Sequence, residues 1–170
     1  MTEDAVENKM QIFRAAQAPK LMEAGVMDLP ASDPTQRAGL DELVKAGYLE
    51  GDETRLLFNI PGFSLVHAWF KKDYPLLLHS HNADCMYYII AGTLRLGTED
   101  LGPGDGFFVP AGARYKYRPG PNGVEVLEFR HATRFDIQNH SKGKAFYEQA
   151  LQTVVSNLGG WRNAKRPSEQ

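Results

Sequence analysis

Two histidines one residue apart, His79 and His81, form the pattern in this chain with the plainest chemical use. On an extended strand, residues two apart project from the same face, so both imidazoles point one way. Two neutral imidazoles so placed can coordinate a single metal ion. They can equally hydrogen-bond a ligand or water, or lie on the wet side of a surface strand. Further along, Val124 to His131 reads as a strand with two alternative inner faces. One face carries Leu127, Phe129 and His131, which would add a third imidazole. The other carries Val126, Glu128 and Arg130, which would make a carboxylate-binding pocket. The alternation alone does not choose. His67, next to Trp69 on its face, reads as a packed or rim histidine, and His140 as a surface residue before a helix. Tyr87, Tyr88, Phe107, Phe108, Tyr115 and Tyr117 suggest a ring-lined cavity of the kind that takes small molecules, or ordinary core.

The elements that must position these groups are short and β-rich. From about residue 55 the chain runs as apolar and aromatic segments at 56–60, 63–70, 76–81, 86–91, 93–97, 106–109, 114–117 and 124–131. Breaks rich in Gly, Pro, Asn and Asp separate them, at 61–62, 102–105, 110–112 and 119–123. Many short strands at close spacing predict an antiparallel sandwich or barrel. The first 54 residues read as an irregular, partly helical lead-in. A helix is expected over 9–18, from Met10, Phe13 and Ala16, and a second over 35–46, with Leu40, Leu43 and Val44 on one face and Gly47 as its stop. The tail changes period again. Phe146, Ala150, Leu151, Val154, Val155 and Leu158 form a helical stripe over 141–159 that ends at Gly159-Gly160. It must bury against the chain's own barrel or against a second subunit.

Bulk properties narrow the class. A chain of 170 residues suits one domain with a real core. The net charge of −2 gives no general attraction to nucleic acid or anionic lipid. No apolar run approaches the roughly 18 residues of a membrane helix. The start, Met1 to Glu7, lacks the basic and apolar regions of a signal peptide. One cysteine, Cys85, precludes an internal disulfide framework. A reducing cytoplasm is the expected setting.

Residues 79–92 and 104–112 together resemble the two sequence motifs of the cupin superfamily. The first motif, Gly-x5-His-x-His-x3–4-Glu-x6-Gly, is matched at His79, His81 and Gly92. Tyr88 to Gly92 looks like its usual strand and turn. The second, Gly-x5-Pro-x-Gly-x2-His-x3-Asn, is matched at Gly104, Pro110 and Gly112, with Gly104-Asp105 as the common turn. The resemblance spans about 63–131. It implies a mainly β fold, a cupin-type (jelly-roll) antiparallel β-barrel over 55–135, with the helical lead-in before it and one C-terminal helix after it.

The departures bear on function. Asp73 stands where the first motif has its leading glycine, Cys85 where it has glutamate, Tyr115 where the second motif has histidine, and Pro119 where it has asparagine. The resemblance therefore places Cys85 and Tyr115 in the cavity beside the histidines. Cys85 is then a candidate third metal ligand, since a thiolate suits zinc, copper or iron. Tyr115 is a candidate iron ligand or catalytic acid or base. Each also has a plain structural reading, as a small buried hydrophobe and as a ring filling vacated space. Asp84 could replace the missing glutamate only through a bulge.

The expectation is thus a small-molecule-binding protein, a metal-dependent enzyme of oxygenase, lyase or isomerase type. Its metal would be a divalent Fe, Mn, Ni or Zn on His79, His81 and Cys85. The alternative is a non-catalytic binding or sensing barrel with a reduced or absent metal site. The expected assembly is a homodimer, the commonest closed oligomer, with no nucleic-acid or membrane partner.

Overall fold

The computed structural model describes residues 9–29 and 31–170. In chain order its elements are β1 (Met27–Asp28), α1 (Pro34–Lys45), β2 (Asp52–Ile60), β3 (Phe63–Phe70), β4 (His79–Ser80) and β5 (Cys85–Leu96). There follow β6 (Glu99–Leu101), β7 (Gly106–Val109), β8 (Arg118–Arg130), β9 (Phe135–Asp136), β10 (Gln138–Asn139) and α2 (Lys144–Arg162). The main sheet is antiparallel in the order β2-β3-β8-β5-β6, with β7 also on β5. Strands β4 and β10 form a second antiparallel pair, and β1 lies parallel to β9. The fold is therefore mainly β with antiparallel sheets and one C-terminal helix, as expected.

Register fixes which side chains share the interior. Cys85, Tyr87 and Ile89 are buried while Met86, Tyr88 and Ile90 are exposed, the period-two alternation of a half-buried strand. Cross-strand pairing sets Arg130 opposite Cys85, Glu128 opposite Tyr87, and Val126 opposite Ile89. On the other flank of β8, Ser64, Val66 and Ala68 pair with Arg130, Glu128 and Val126. Directly paired residues share a face, so all of these point inward. The open choice on β8 is settled for Glu128 and Arg130. His131 is exposed and lies just past the strand end.

Two backbone positions check the motif register. Gly92 has φ 74°, and a Cβ there would meet the Gly123 carbonyl oxygen at 2.2 Å. Asp73, in the place of the motif glycine, has φ 54°, alone among the described non-glycine residues in this region. Aspartate tolerates the left-handed conformation better than most, and its carboxylate pairs with Arg118 at 2.8 Å.

Several local expectations are corrected. The helix over 9–18 is reduced to one 3-10 turn at Ala15–Gln17; a ten-residue helix is marginal without a packing surface, and Met10, Ile12 and Phe13 are exposed. The helix expected over 35–46 is α1, which begins one residue earlier because Pro34 fits the first helical position behind an Asp33–Gln36 capping box. Only His79 and Ser80 of the 76–81 run form a strand, and 114–117 contributes a single bridge, Tyr115 to His79. The proline-rich 119–123 segment is part of β8. There β8 pairs only with β5, since β3 joins it from Val124 onward, so the missing proline N–H costs little. Helix α2 runs through Gly159-Gly160 to Arg162 because Trp161 is fully buried and its Nε1 donates to the Lys72 carbonyl at 2.8 Å. Of its expected stripe, Ala150 and Val154 are buried within the chain, joined by Tyr147 and packed near α1, whereas Val155 is exposed. Among the described residues, no helix is long and apolar enough to cross a membrane.

Candidate functional site

The interior of the sheet gathers polar groups at one end. His79 and His81 reach it from β4 and the residue after it, Tyr115 from the loop before β8, Tyr87 from β5, and Glu128 and Arg130 from β8. All six are buried. The backbones of His79 and Tyr115 bond reciprocally, at 3.1 and 2.9 Å. Their rings stand 4.4 Å apart between centroids, and the two histidine rings 5.1 Å apart.

Hydrogen bonds fix the tautomers. His79 Nδ1 donates to the Leu77 carbonyl at 2.7 Å and His81 Nδ1 to the Asp136 carbonyl at 2.5 Å. A carbonyl only accepts, so each neutral ring carries its proton on Nδ1 and its lone pair on Nε2. Asp136 is itself held, since its Oδ1 accepts the Asn82 N–H and its own N–H donates to Asn82 Oδ1. Burial pushes both imidazoles below the usual histidine range, His81 to about 3, with the Arg130 charge adding to that fall. Both are neutral at pH 7.

The tyrosines behave oppositely. Tyr115 and Tyr87 share a short hydroxyl–hydroxyl hydrogen bond. Burial, reinforced by Glu128, raises both above the ordinary phenol range, so both stay protonated. Tyr87 stacks on Phe107 at 4.5 Å, and Tyr117 meets both edge-on, holding Tyr87 in place.

Arg130 anchors the other side. Its Nη2 donates to Glu128 Oε2 at 2.7 Å and lies 3.4 Å from His81 Nε2, while its guanidinium stacks on Phe135 at 4.1 Å. Cys85 lies on the same inner wall. Burial pushes its thiol up to about 12, the behaviour of a small buried hydrophobe.

The divalent metal implied by the family resemblance is a poor fit to these residues. Among the described residues, no group of three or more His, Cys, Asp or Glu side chains is spaced to hold an ion. Arg130 also sets a fixed positive charge and an N–H donor against the His81 nitrogen that would ligate. Tyr115 is committed to Tyr87. Asp84 turns away to accept the Ala111 N–H at 2.8 Å. His67 sits on the outer face with Glu125 at 3.1 Å, and His140 bonds Ser80 Oγ at 2.7 Å.

A cleft of about 460 Å³ between α1 and α2, and one of about 200 Å³ beside Trp69 and Trp161, touch none of the cluster. The sequence named Tyr87 only as one of many rings. Its position two residues beyond Cys85 on the same strand is the signal that could have placed it inward. Nothing in the sequence marked Phe135, which becomes the stacking partner of Arg130 through the β9 return.

Comparison with known proteins agrees with this architecture. The polyketide cyclase RemF from Streptomyces resistomycificus superposes with a TM-score of 0.52 at 21% identity, covering 64% of this chain and 84% of that one. A protein of unknown function with a cupin-like fold from Ralstonia eutropha JMP134 covers 89% of each chain, at a TM-score of 0.51 and 15% identity. No sequence-family profile matches the chain, and no curated protein sequence does. The chain has the cupin fold.

Proposed function

We propose that this chain is a small-molecule enzyme of acid–base type, catalysing a lyase, isomerase or cyclisation step that moves protons rather than electrons. One observation carries the reading: a neutral imidazole with its lone pair on Nε2, His79, is fixed against a protonated tyrosine pair, Tyr115 and Tyr87. The same burial holds the imidazole without its second proton and the phenols with theirs, which are the states a base and an acid must start from in a proton transfer.

His79 Nε2 takes a proton from the substrate and Tyr115 Oη gives one to the developing or leaving oxygen, while its hydrogen bond with Tyr87 steadies the phenolate. The proton held on His79 then returns to Tyr115, which restores both groups. His81, locked by Asp136 and Arg130, positions rather than titrates. No step is assigned to a metal. Stoichiometric iron, manganese, nickel or zinc in purified protein, lost in His79→Ala, would replace this reading with the metal-dependent one. We also infer a homodimer, resting on the outer face of the sheet, where the exposed Met86 and Phe108 are paired and the half-buried Phe129 lies beside them.

The direct test is solvent deuterium wash-in. Wild type should exchange the hydrogens beside the carbonyl of at least one of a set of small ketones and 2-oxo acids. Tyr115→Phe and His79→Gln should each lose on the order of 10²–10⁴-fold. Exchange at the buffer rate throughout, with the same compounds still bound, would favour the binding or sensing alternative.

A further inference from the structure

Four buried side-chain nitrogen and oxygen atoms lack a hydrogen-bond partner among the described residues: Ser64 Oγ, Trp69 Nε1, Arg130 Nε and Arg130 Nη1. Three of the four belong to one cross-strand pair, since Ser64 on β3 is the direct register partner of Arg130 on β8. Such pairs project from the same face with Cβ atoms roughly 4.5–5.5 Å apart. Ser64 is 0% exposed and Arg130 2%. Buried donors are almost always satisfied, so a concentration of unsatisfied ones calls for a specific occupant.

The donor types narrow that occupant. A guanidinium presents only N–H donors and a serine hydroxyl can donate too, so the missing partner is an acceptor. A charged donor beside a neutral one suits a planar anion with two oxygens, which can take one bond from each. The guanidinium cannot swing to another partner. Glu128 holds its Nη2 and Phe135 stacks on its plane, leaving Nε and Nη1 uncommitted. Glu128 also balances the arginine charge, which favours a singly charged ligand over a multiply charged one such as phosphate. The same guanidinium lies 3.4 Å from His81 Nε2, so its ligand would sit next to the acid–base cluster.

We propose that Ser64 and Arg130 form a carboxylate-binding subsite, and that the substrate is a small organic acid held by its carboxylate while His79 and Tyr115 act on the adjoining atoms. The subsite deepens the acid–base reading and rests on it for the word substrate, but its binding role stands or falls separately.

The test is isothermal titration of wild type, Ser64→Ala, Arg130→Lys and Tyr115→Phe with benzoate, pyruvate and succinate, each beside its amide, and with inorganic phosphate. At least one carboxylate should bind wild type tenfold or more tightly than its amide and more tightly than phosphate. Ser64→Ala should weaken that binding at least tenfold while raising the melting temperature of the free protein, since it deletes an unsatisfied buried hydroxyl. Arg130→Lys should weaken it further, and Tyr115→Phe should leave it within about threefold. A Ser64→Ala variant that melts lower with unchanged affinity would show a packing role and overturn the subsite. So would a wild type that binds no carboxylate better than its amide, or that prefers phosphate. Carboxylate binding as expected, with deuterium exchange unaffected by Tyr115→Phe, would keep the subsite and remove the acid–base reading instead.

Discussion

On β5 and β8, neighbouring residues face opposite environments. Cys85, Tyr87, Glu128 and Arg130 point inward and are buried, whereas Met86 and Tyr88 point outward and stand 53% and 47% exposed, with Leu127 and Phe129 beside them partly covered. Phe108, paired with Met86 on β7, is 62% exposed. Polar groups are thus set into an inner face that is otherwise apolar, with Ile89, Val124 and Val126 beside them, while large apolar side chains meet water outside. The contrast separates two kinds of constraint. Polar groups inside a protein are tolerated only when paired, so the inner face is held by specific bonds, and its few unpaired donors are informative. The outer face around Met86, Tyr88 and Phe108 is left roughly half exposed. Its apolar row is the sort of surface that marks contact with another molecule.

The largest effect should come from breaking the inner pairing. Glu128→Ala leaves Arg130 as a buried charge without its carboxylate and should cost about 3–5 kcal/mol in urea unfolding. Met86→Ala, one strand away on the other face, should cost under about 1 kcal/mol in the monomer. Equal losses would mean that the buried ion pair is not what holds this end of the sheet.

A pH titration sharpens the same contrast. His81 is held at about 3 in the folded chain against an ordinary value of 6.5. The unfolded state therefore binds the extra proton first as pH falls. Stability is fully present above 6.5 and should decline below it, by on the order of 2–3 kcal/mol at about pH 4.5. His79, also lowered by burial, contributes in the same direction. His81→Gln should flatten that slope in thermal melts between pH 6.5 and 4.5. A slope unchanged in the variant would show that His81 is not held neutral by burial.

The smallest effect in folding terms belongs to the outer row. Phe108→Ser should change monomer stability by no more than about 0.5 kcal/mol, yet light scattering should show the wild-type dimer giving way to single chains. A wild type that is monomeric over a wide concentration range would end the assembly proposal.

The sequence by itself determined the fold class and the central pair of residues. His79-x-His81, Gly92, Gly104, Pro110 and Gly112 lie at fixed short spacings, and the turns and strand parity they specify are local properties. Even at Asp73, where the motif has glycine, the backbone takes the left-handed conformation that glycine adopts most readily. The same local reading failed at 9–18, 119–123 and Gly159-Gly160, where the outcome depended on whether a distant surface was there to pack against. The chemistry of the site was of that second kind. Parity along β8 offered two faces, and only pairing with Cys85 on β5 and Ser64 on β3 turned Glu128 and Arg130 inward. The spacing of His79 and His81 read as a metal site because spacing says which groups share a face, not what charge faces them. Arg130 comes from a strand some fifty residues later, and its position against His81 is set by cross-strand register, a long-range contact that no short window of sequence contains.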